Sequence, residues 1–374
     1  MFGRTTMVAA LCLAMGLSVP AARGEVTYEV TDLGTLGGTD SEAYGINDNL
    51  QITGLSEIPG GHNRAFLWDP IGGMVDLGTL GGNYASGRAV NTAGQVAGLS
   101  WTGSAYRACR WTPGAAPDNL GVLGGDRSDG YGINDSGTVV GGSNYTSENS
   151  DDHAFLWTPA AGMIELSTSR TVAADVNNSH QAVGRYYRDS CGTPKTWQYD
   201  ETTGSVTENS LPYLPGDDSG WANAINESGW IAGVSGDSYY SSYYHRYNTT
   251  NQHAVVWGPD PTQRIDLGYG LANDINDAGQ VVGNSTSPRA HYWDADTGWI
   301  DLNDYLEPCG DGWTLYEAYG INNDGYIVGR GRNASGQSHA FLLTPIPEPA
   351  TMGLLAIGGG FALLRRRRRP PASA

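Results

Sequence analysis

Residues 133–141 read Ile133-Asn134-Asp135-Ser136-Gly137-Thr138-Val139-Val140-Gly141, and variants of this stretch recur through most of the chain. Ile or Val followed by Asn returns at Asn47, Asn91, Asn134, Asn177, Asn226, Asn276 and Asn322, at spacings of 44, 43, 43, 49, 50 and 46. Seven residues after each Asn comes a glycine: Gly54, Gly98, Gly141, Gly184, Gly233, Gly283 and Gly329. Between them, Asn and Asp close Asx-type turns and a turn glycine supplies positive φ. Each copy therefore reads as strand, tight turn, strand.

A third strand follows each hairpin. Its clearest copy is His153-Ala154-Phe155-Leu156-Trp157, with looser copies ending at Trp68, Trp111, Trp197, Trp257, Trp293 and Leu343. A fourth is marked by Asp76-Leu77-Gly78, Asn119-Leu120-Gly121, Glu165-Leu166, Asp266-Leu267-Gly268 and Asp301-Leu302, while the fifth repeat is degenerate around Val206 to Leu211. Four strands every 43–50 residues, seven times, predict a β-propeller. The seventh repeat stops at Thr344 without a fourth strand, and a spare Asp32-Leu33-Gly34 precedes the first. Tyr28 to Leu33 is thus expected to supply the outer strand of blade seven, closing the ring and hiding an edge.

Composition agrees. The chain has 374 residues with 54 Gly, about twice the ordinary ~7%, and only 16% charged residues against a usual ~25%. The glycines lack a three-residue period, which excludes collagen, and 11 Trp with 39% hydrophobic residues supply a core. The expected fold class is all-β, a seven-bladed propeller over residues 25–345. The net charge of −18 argues against nucleic acid as a partner. Seven of the 21 basic residues lie at the two ends, as does one of the 39 acids (Glu348), leaving 14 basic residues against 38 acids in the body.

The ends read as addresses. Residues 1–24 have a basic start at Arg4, an apolar run from Met7 to Val19, and small residues around Ala22-Arg23-Gly24, the layout of a signal peptide. Residues 346–374 carry Pro347-Glu348-Pro349, 15 largely apolar residues (Ala350 to Leu364), then Arg365, Arg366, Arg367, Arg368 and Arg369. As a helix the run spans ~22 Å, short of a ~30 Å hydrocarbon layer, so a transmembrane helix here is marginal and its membrane contact transient.

This tail resembles the PEP-CTERM sorting signal, which implies processing by an exosortase-type enzyme and delivery to the Gram-negative envelope, cell surface or extracellular matrix. The repeats resemble the HAF repeats of extracellular bacterial proteins, on His153 to Phe155 and His339 to Phe341. Repeats two, four, five and six depart from the triplet, at Ala108-Cys109-Arg110, Pro194-Lys195-Thr196, His253-Ala254-Val255 and Ala290-His291-Tyr292. The resemblance implies export and a surface role, and supplies no reaction.

His153, His253, His291 and His339 are expected to be satisfied by backbone carbonyls at the third-strand start. The acids Asp48, Asp135, Glu227, Asp277 and Asp324 belong to turns. Asp175 and Asp274 instead occupy a slot that elsewhere holds Gly45, Ala89, Gly132, Ala224 and Gly320, small because blades crowd near the axis. These two acids are candidates to line a central channel and hold a cation, although no metal is required. Asp294 to Gly298 is read as a turn rather than half a calcium loop. No nucleophile elbow, zinc motif or phosphate loop is present in the sequence, so no catalytic residue and no cofactor is assigned. Cys109 is expected in a buried third strand, with Cys191 and Cys309 in loops too far apart to pair.

Insertions fall between strands two and three. In blade five, Gly236 to Gln252 contains Tyr239, Tyr240, Tyr243, Tyr244 and Tyr247, a candidate ligand loop; in blade three, Ser143 to Asp152 carries Tyr145. The expected function is non-enzymatic, a surface or matrix protein that binds an extracellular polysaccharide or protein. The alternative is a glycan-active hydrolase or lyase.

The tail yields a prediction. Its run includes four glycines, each costing ~1 kcal/mol of helix propensity, and makes a poor permanent anchor. C-terminal mass spectrometry of envelope protein is expected to find Arg365 to Ala374 removed in a host with the processing enzyme; an intact tail there marks a plain anchor.

Overall fold

The computed structural model describes residues 26–346, apart from 147–148, 189–190, 242–245, 261, 286–288 and 308–311. The leader, the tail from Pro347 to Ala374, Tyr243, Tyr244 and Cys309 lie outside the described residues, as do the side chains of Tyr240 and Tyr247. Tyr28–Pro345 forms one compact unit.

Seven four-stranded sheets follow one another, each a meander from an inner to an outer strand. Blade three shows the pattern, with strands Ser128–Ile133, Val139–Thr146, Asn149–Thr158 and Gly162–Glu165. The N-terminal strand Thr27–Asp32 joins Ser338–Ile346 as the outer strand of blade seven, as the repeat offset predicts. Leu33 N–H donates to the Ala340 carbonyl, and Glu307 N–H donates to the Tyr28 carbonyl. Residues 205–210 form the outer strand of blade four, so the degenerate copy belongs to the fourth repeat and not the fifth.

The landmark asparagines explain the ring. Each Asn side-chain oxygen accepts a backbone N–H four residues on, closing its own turn, as Asn134 does with Thr138. Each side-chain amide nitrogen then reaches the main-chain carbonyl of the next landmark Asn. The series runs Asn47 to Asn91 (2.7 Å), Asn91 to Asn134 (3.0 Å), Asn134 to Asn177 (3.1 Å) and Asn177 to Asn226 (3.4 Å). It continues through Asn226 to Asn276 (3.0 Å) and Asn276 to Asn322 (2.9 Å), and Asn322 returns to Asn47 at 3.2 Å. All seven side chains are buried.

A second regularity is a β-bulge in every inner strand. The register jumps across Tyr44, Arg88, Tyr131, Ala174, Asn223, Asn273 and Tyr319, each three residues before its landmark Asn. The bulge explains the glycine seven places after each Asn. A Cβ on Gly141 would lie 1.9 Å from the Asp129 carbonyl oxygen, and the other six meet an inner-strand carbonyl at 1.8 to 2.2 Å. The turn glycine is a separate requirement: Gly137 has φ of 77°, and at the equivalent places Leu50 and His180 also adopt positive φ.

Apolar packing lies between blades. Ala97, Ala108, Leu120, Ile133, Val139 and Phe155 join blades two and three in one cluster. Trp111 and Trp257 close third strands and Trp197 lies within one, all three fully buried. Each such aromatic buries 150–250 Å² of surface in a typical core. No helix among the described residues is long and apolar enough to cross a membrane.

Pairing corrects the repeat alignment. Gly98, Gly184 and Gly283 oppose Cys109, Lys195 and His291, as Gly141 opposes Phe155. The counterparts of His153-Ala154-Phe155 are therefore Arg107-Ala108-Cys109, Thr193-Pro194-Lys195 and Arg289-Ala290-His291, one residue earlier than the sequence alignment. Cys109 is buried in a third strand as expected, whereas Cys191 opens a third strand instead of lying in a loop. The insertions of blades three and five are extended hairpins rather than loops; in blade five, residues 231–241 pair with 246–257.

Replacing Asn134 by Ala leaves the buried Asn177 carbonyl and the Thr138 N–H without these partners. Urea unfolding is expected to show a loss of about 1–3 kcal/mol; an unchanged midpoint would remove the ring's structural role.

Candidate functional site

The inner strands enclose an axial channel whose wall is built in layers. At one mouth, Asp48, Asp135, Glu227 and Asp277 alternate with Thr92, Asn178 and Asn323 around a cavity of about 350 Å³. These groups are spent on one another. Asp135 accepts from Thr92 N–H, Glu227 from Asn178, Asp277 from Glu227 and Asp48 from Asn323. Asp324 lies one position further on, where it donates its N–H to Asn322.

Beyond the asparagine layer and an apolar ring of Ile and Val, the bulges line the opposite mouth. A cavity of about 220 Å³ there is bounded by Tyr44, Arg88, Tyr131, Ala174, Asn223, Asn273 and Tyr319, one residue from each blade. The bulge is what turns these side chains to the axis. Tyr44 and Tyr319 meet edge to face with centroids 5.2 Å apart, and the Arg88 guanidinium lies 4.7 Å from the Tyr44 ring centroid. The Tyr44 hydroxyl donates to Glu42 at 2.6 Å and that of Tyr319 to Glu317. Arg330 bridges Glu42 at 3.0 Å and Glu317 at 2.9 Å, locking blades one and seven. Burial, reinforced by Glu42 and Glu317, raises both phenols and keeps them neutral. On the other side, Asn223 and Asn273 donate to the Ala272 and Ala318 carbonyls of the following blades.

A second cavity of about 190 Å³ adjoins this mouth and shares Tyr131, Ala174 and Asn223 with it. It contains Arg185 and Tyr187. Arg185 bonds the Tyr187 hydroxyl at 2.9 Å and lies 4.3 Å and 5.4 Å from the ring centroids of Tyr187 and Trp221. Each second strand ends opposite its 1–2 turn, so the long hairpins rise from this same face.

Asp175 and Asp274 line the tyrosine mouth, as the slot predicts. Gly132, in the same slot of blade three, shows why the position is usually small: a Cβ there would meet the Asp175 Cα at 2.7 Å. Each carboxylate clasps a neighbouring blade. Asp175 accepts from Ile225 N–H at 3.0 Å and Asp274 from Ile321 N–H at 2.9 Å. No group of three metal-ligating side chains occurs among the described residues. Both sit half-buried on the channel wall. Burial first, with repulsion from Asp274, pushes Asp175 up to about 7, and burial pushes Asp274 up to about 6.

The histidines differ from expectation. His153, His253 and His339 face carboxylates of the outer strand, Glu165 at 2.5 Å, Asp266 at 3.0 Å and Asp32 at 2.8 Å. Arg289 pairs with Asp301 at the equivalent place in blade six. The Asp of the Asp-Leu-Gly strand is thus the partner of the third-strand base. Only His291 bonds a backbone carbonyl, that of Arg289 at 2.8 Å. The Asp294 turn holds as read, its carboxylate accepting from Asp296 and Thr297 N–H groups.

Of the candidate tyrosines, Tyr239 is exposed on the blade-five hairpin, and Tyr240 pairs with Tyr247 through the backbone. Tyr145 stacks on His153 of its own blade, 5.3 Å between centroids. The mouth residues Tyr44, Arg88, Tyr131 and Tyr319 escaped sequence reasoning. Their fixed place three residues before each Asn was visible; the bulge that aims them was not.

Residues 345–369 match the PEP-CTERM protein-sorting motif. The motif marks the chain for export and exosortase sorting at the Gram-negative envelope. No curated protein matches the sequence. Among solved structures, the chain is similar to TolB from Acinetobacter baumannii, at 13% identity and a TM-score of 0.42, over 84% of this chain and 65% of that one. A putative TolB from Agrobacterium tumefaciens gives 11% and 0.43, covering 86% and 100%. The WD40 β-propeller domain of Doa1 gives 13% and 0.46, covering 87% and 99%. Similarity at this level says nothing about activity.

The raised carboxyls set a pH dependence. Both are protonated more readily in the fold than at the ordinary 3.8, so their contribution is complete below about pH 4 and is lost as pH rises through 6 to 7. Asn at both sites keeps an oxygen for the Ile225 and Ile321 amides. The D175N/D274N variant is expected to gain about 1–3 kcal/mol over wild type at pH 8 and little at pH 4. Parallel melting curves of the two proteins across that range would contradict the burial of these groups.

Proposed function

We propose that the protein is an exported, envelope-sorted propeller that acts without catalysis, as a surface or extracellular-matrix component that binds at the tyrosine mouth of its channel. The ligand is an extracellular polysaccharide or a protein segment, and the HAF-repeat resemblance is in keeping with such a surface role. The observation that carries this reading is the convergence of Tyr44, Arg88, Tyr131 and Tyr319 on one opening. Rigid aromatic faces beside amide and guanidinium donors suit polyhydroxylated or peptide ligands. Tyr239 is exposed on the blade-five hairpin that rises from the same face, and would extend the contact.

One observation favours the hydrolase or lyase reading. Asp175 and Asp274 are two carboxylates with raised pKa inside the same opening, the pattern of an acid–base pair. Their use as inter-blade clasps supports the structural role instead.

The test is a glycan array with a parallel reducing-end assay on the detergent-solubilised full chain. Retention without product release is expected, with Tyr131→Ala weakening retention about tenfold at an unchanged melting temperature. Product release abolished by Asp175→Asn would establish the enzyme; no retention of any glycan would leave only the protein partner.

A further inference from the structure

We propose that the tyrosine mouth recognises an anionic sugar, a uronate unit of an extended polysaccharide, with the Arg88 guanidinium taking its carboxylate. This rests on the binding reading above and narrows its ligand class.

The argument begins with charge. In so acidic a protein, arginines find carboxylates readily: Arg64 meets Asp76, Arg110 meets Asp118 and Arg330 meets both Glu42 and Glu317. Among the described residues, Arg88, Arg107, Arg185, Arg264 and Arg332 make no such ion pair, and of these Arg88 and Arg185 line the two adjoining cavities. Arg88 Nε is moreover buried with no hydrogen-bond partner. The buried Nε lies beyond a ligand's reach, but the two terminal nitrogens make no hydrogen bond among the described residues, and a carboxylate entering the mouth that Arg88 lines would satisfy them.

Arg88 is also held in place. Its guanidinium stacks on Tyr44, whose ring is fixed by the edge of Tyr319 and whose hydroxyl is fixed by Glu42. Little ordering remains to be done on binding, which favours affinity. The small side chain of Ala174 stands where the two cavities adjoin, and Tyr131 and Asn223 line both. Arg88 and Arg185 therefore flank Tyr131 along adjoining cavities, and a chain can place one sugar at each.

Chemistry selects among ligands. A guanidinium takes a carboxylate in bidentate fashion, and tyrosine faces pack on the apolar side of a sugar ring. A neutral glycan needs no unpaired arginine, and a free inorganic anion needs no aromatic wall. The body's net negative charge repels densely charged polymers, so the fitting ligand carries sparse carboxylates, about one per disaccharide. Asp175 and Asp274 line the same mouth but spend oxygens on the Ile225 and Ile321 amides.

The probe is a hyaluronan oligosaccharide, one glucuronate per disaccharide, against its carboxyl-methylated form, measured by calorimetry on the detergent-solubilised full chain. The acid form is expected to bind about 10- to 100-fold more tightly than the ester. Arg88→Gln is expected to weaken binding of the acid form down to the level of the ester and so erase that difference, and Arg88→Lys to restore part of it. Equal binding of acid and ester by wild type, or an Arg88→Gln variant that keeps the preference, overturns the proposal. The ester comparison uses wild type alone and decides even where Arg88→Gln fails to fold. Binding of both forms with equal strength removes the uronate and leaves the glycan-binding reading standing; failure of every glycan on the array removes both.

Discussion

Seven asparagine amides hold the propeller closed. Each landmark Asn serves two purposes with one side chain. Its oxygen closes its own turn, and its nitrogen crosses to the carbonyl of the next blade's Asn. Aspartate would keep the turn but lose the donor, and alanine would lose both. The step from Asn322 to Asn47 completes the series between residues far apart in sequence. The same pair of blades is tied at its outer side by the N-terminal strand and within its face by Arg330 between Glu42 and Glu317. Closure is thus a set of local interactions repeated until they meet.

The bulge follows from this arrangement and creates the site. Three residues before each Asn, one extra residue leaves the ladder, and its side chain turns to the axis. The glycine across the sheet is the structural cost, since any Cβ there would collide with the displaced carbonyl. The scaffold leaves the bulged residue free to vary. Four blades present Tyr or Arg, two present Asn and one presents Ala, so a nearly symmetric ring acquires a sided mouth. The small slot next to the bulge varies in the same way, and Asp175 and Asp274 exploit it to clasp neighbouring blades.

Repeat spacing made the blade number, the strand order and the N-terminal closing strand legible in the sequence, because turn chemistry and strand length fix them locally. The binding face was harder to read. Tyr239 and Tyr145 stood out as tyrosines in insertions, yet Tyr145 packs on His153 of its own blade. Tyr44, Arg88 and Tyr131 looked like ordinary inner-strand residues, since a two-residue period assigns them a face that the bulge then changes. The one-residue slip at Arg107, Thr193 and Arg289 has no such cause. His153 stands four places before Trp157, and counting four places back from Trp111, Trp197 and Trp293 gives the register that pairing with the glycine shows.

Hydrogen exchange read by mass spectrometry tests the closed ring most directly. If the asparagine circuit and the N-terminal strand unite the blades, amides of residues 27–33 and 314–332 exchange together, through one opening whose free energy matches global unfolding. Rapid exchange of residues 27–33 beside a protected remainder would contradict the account and leave an open array of blades.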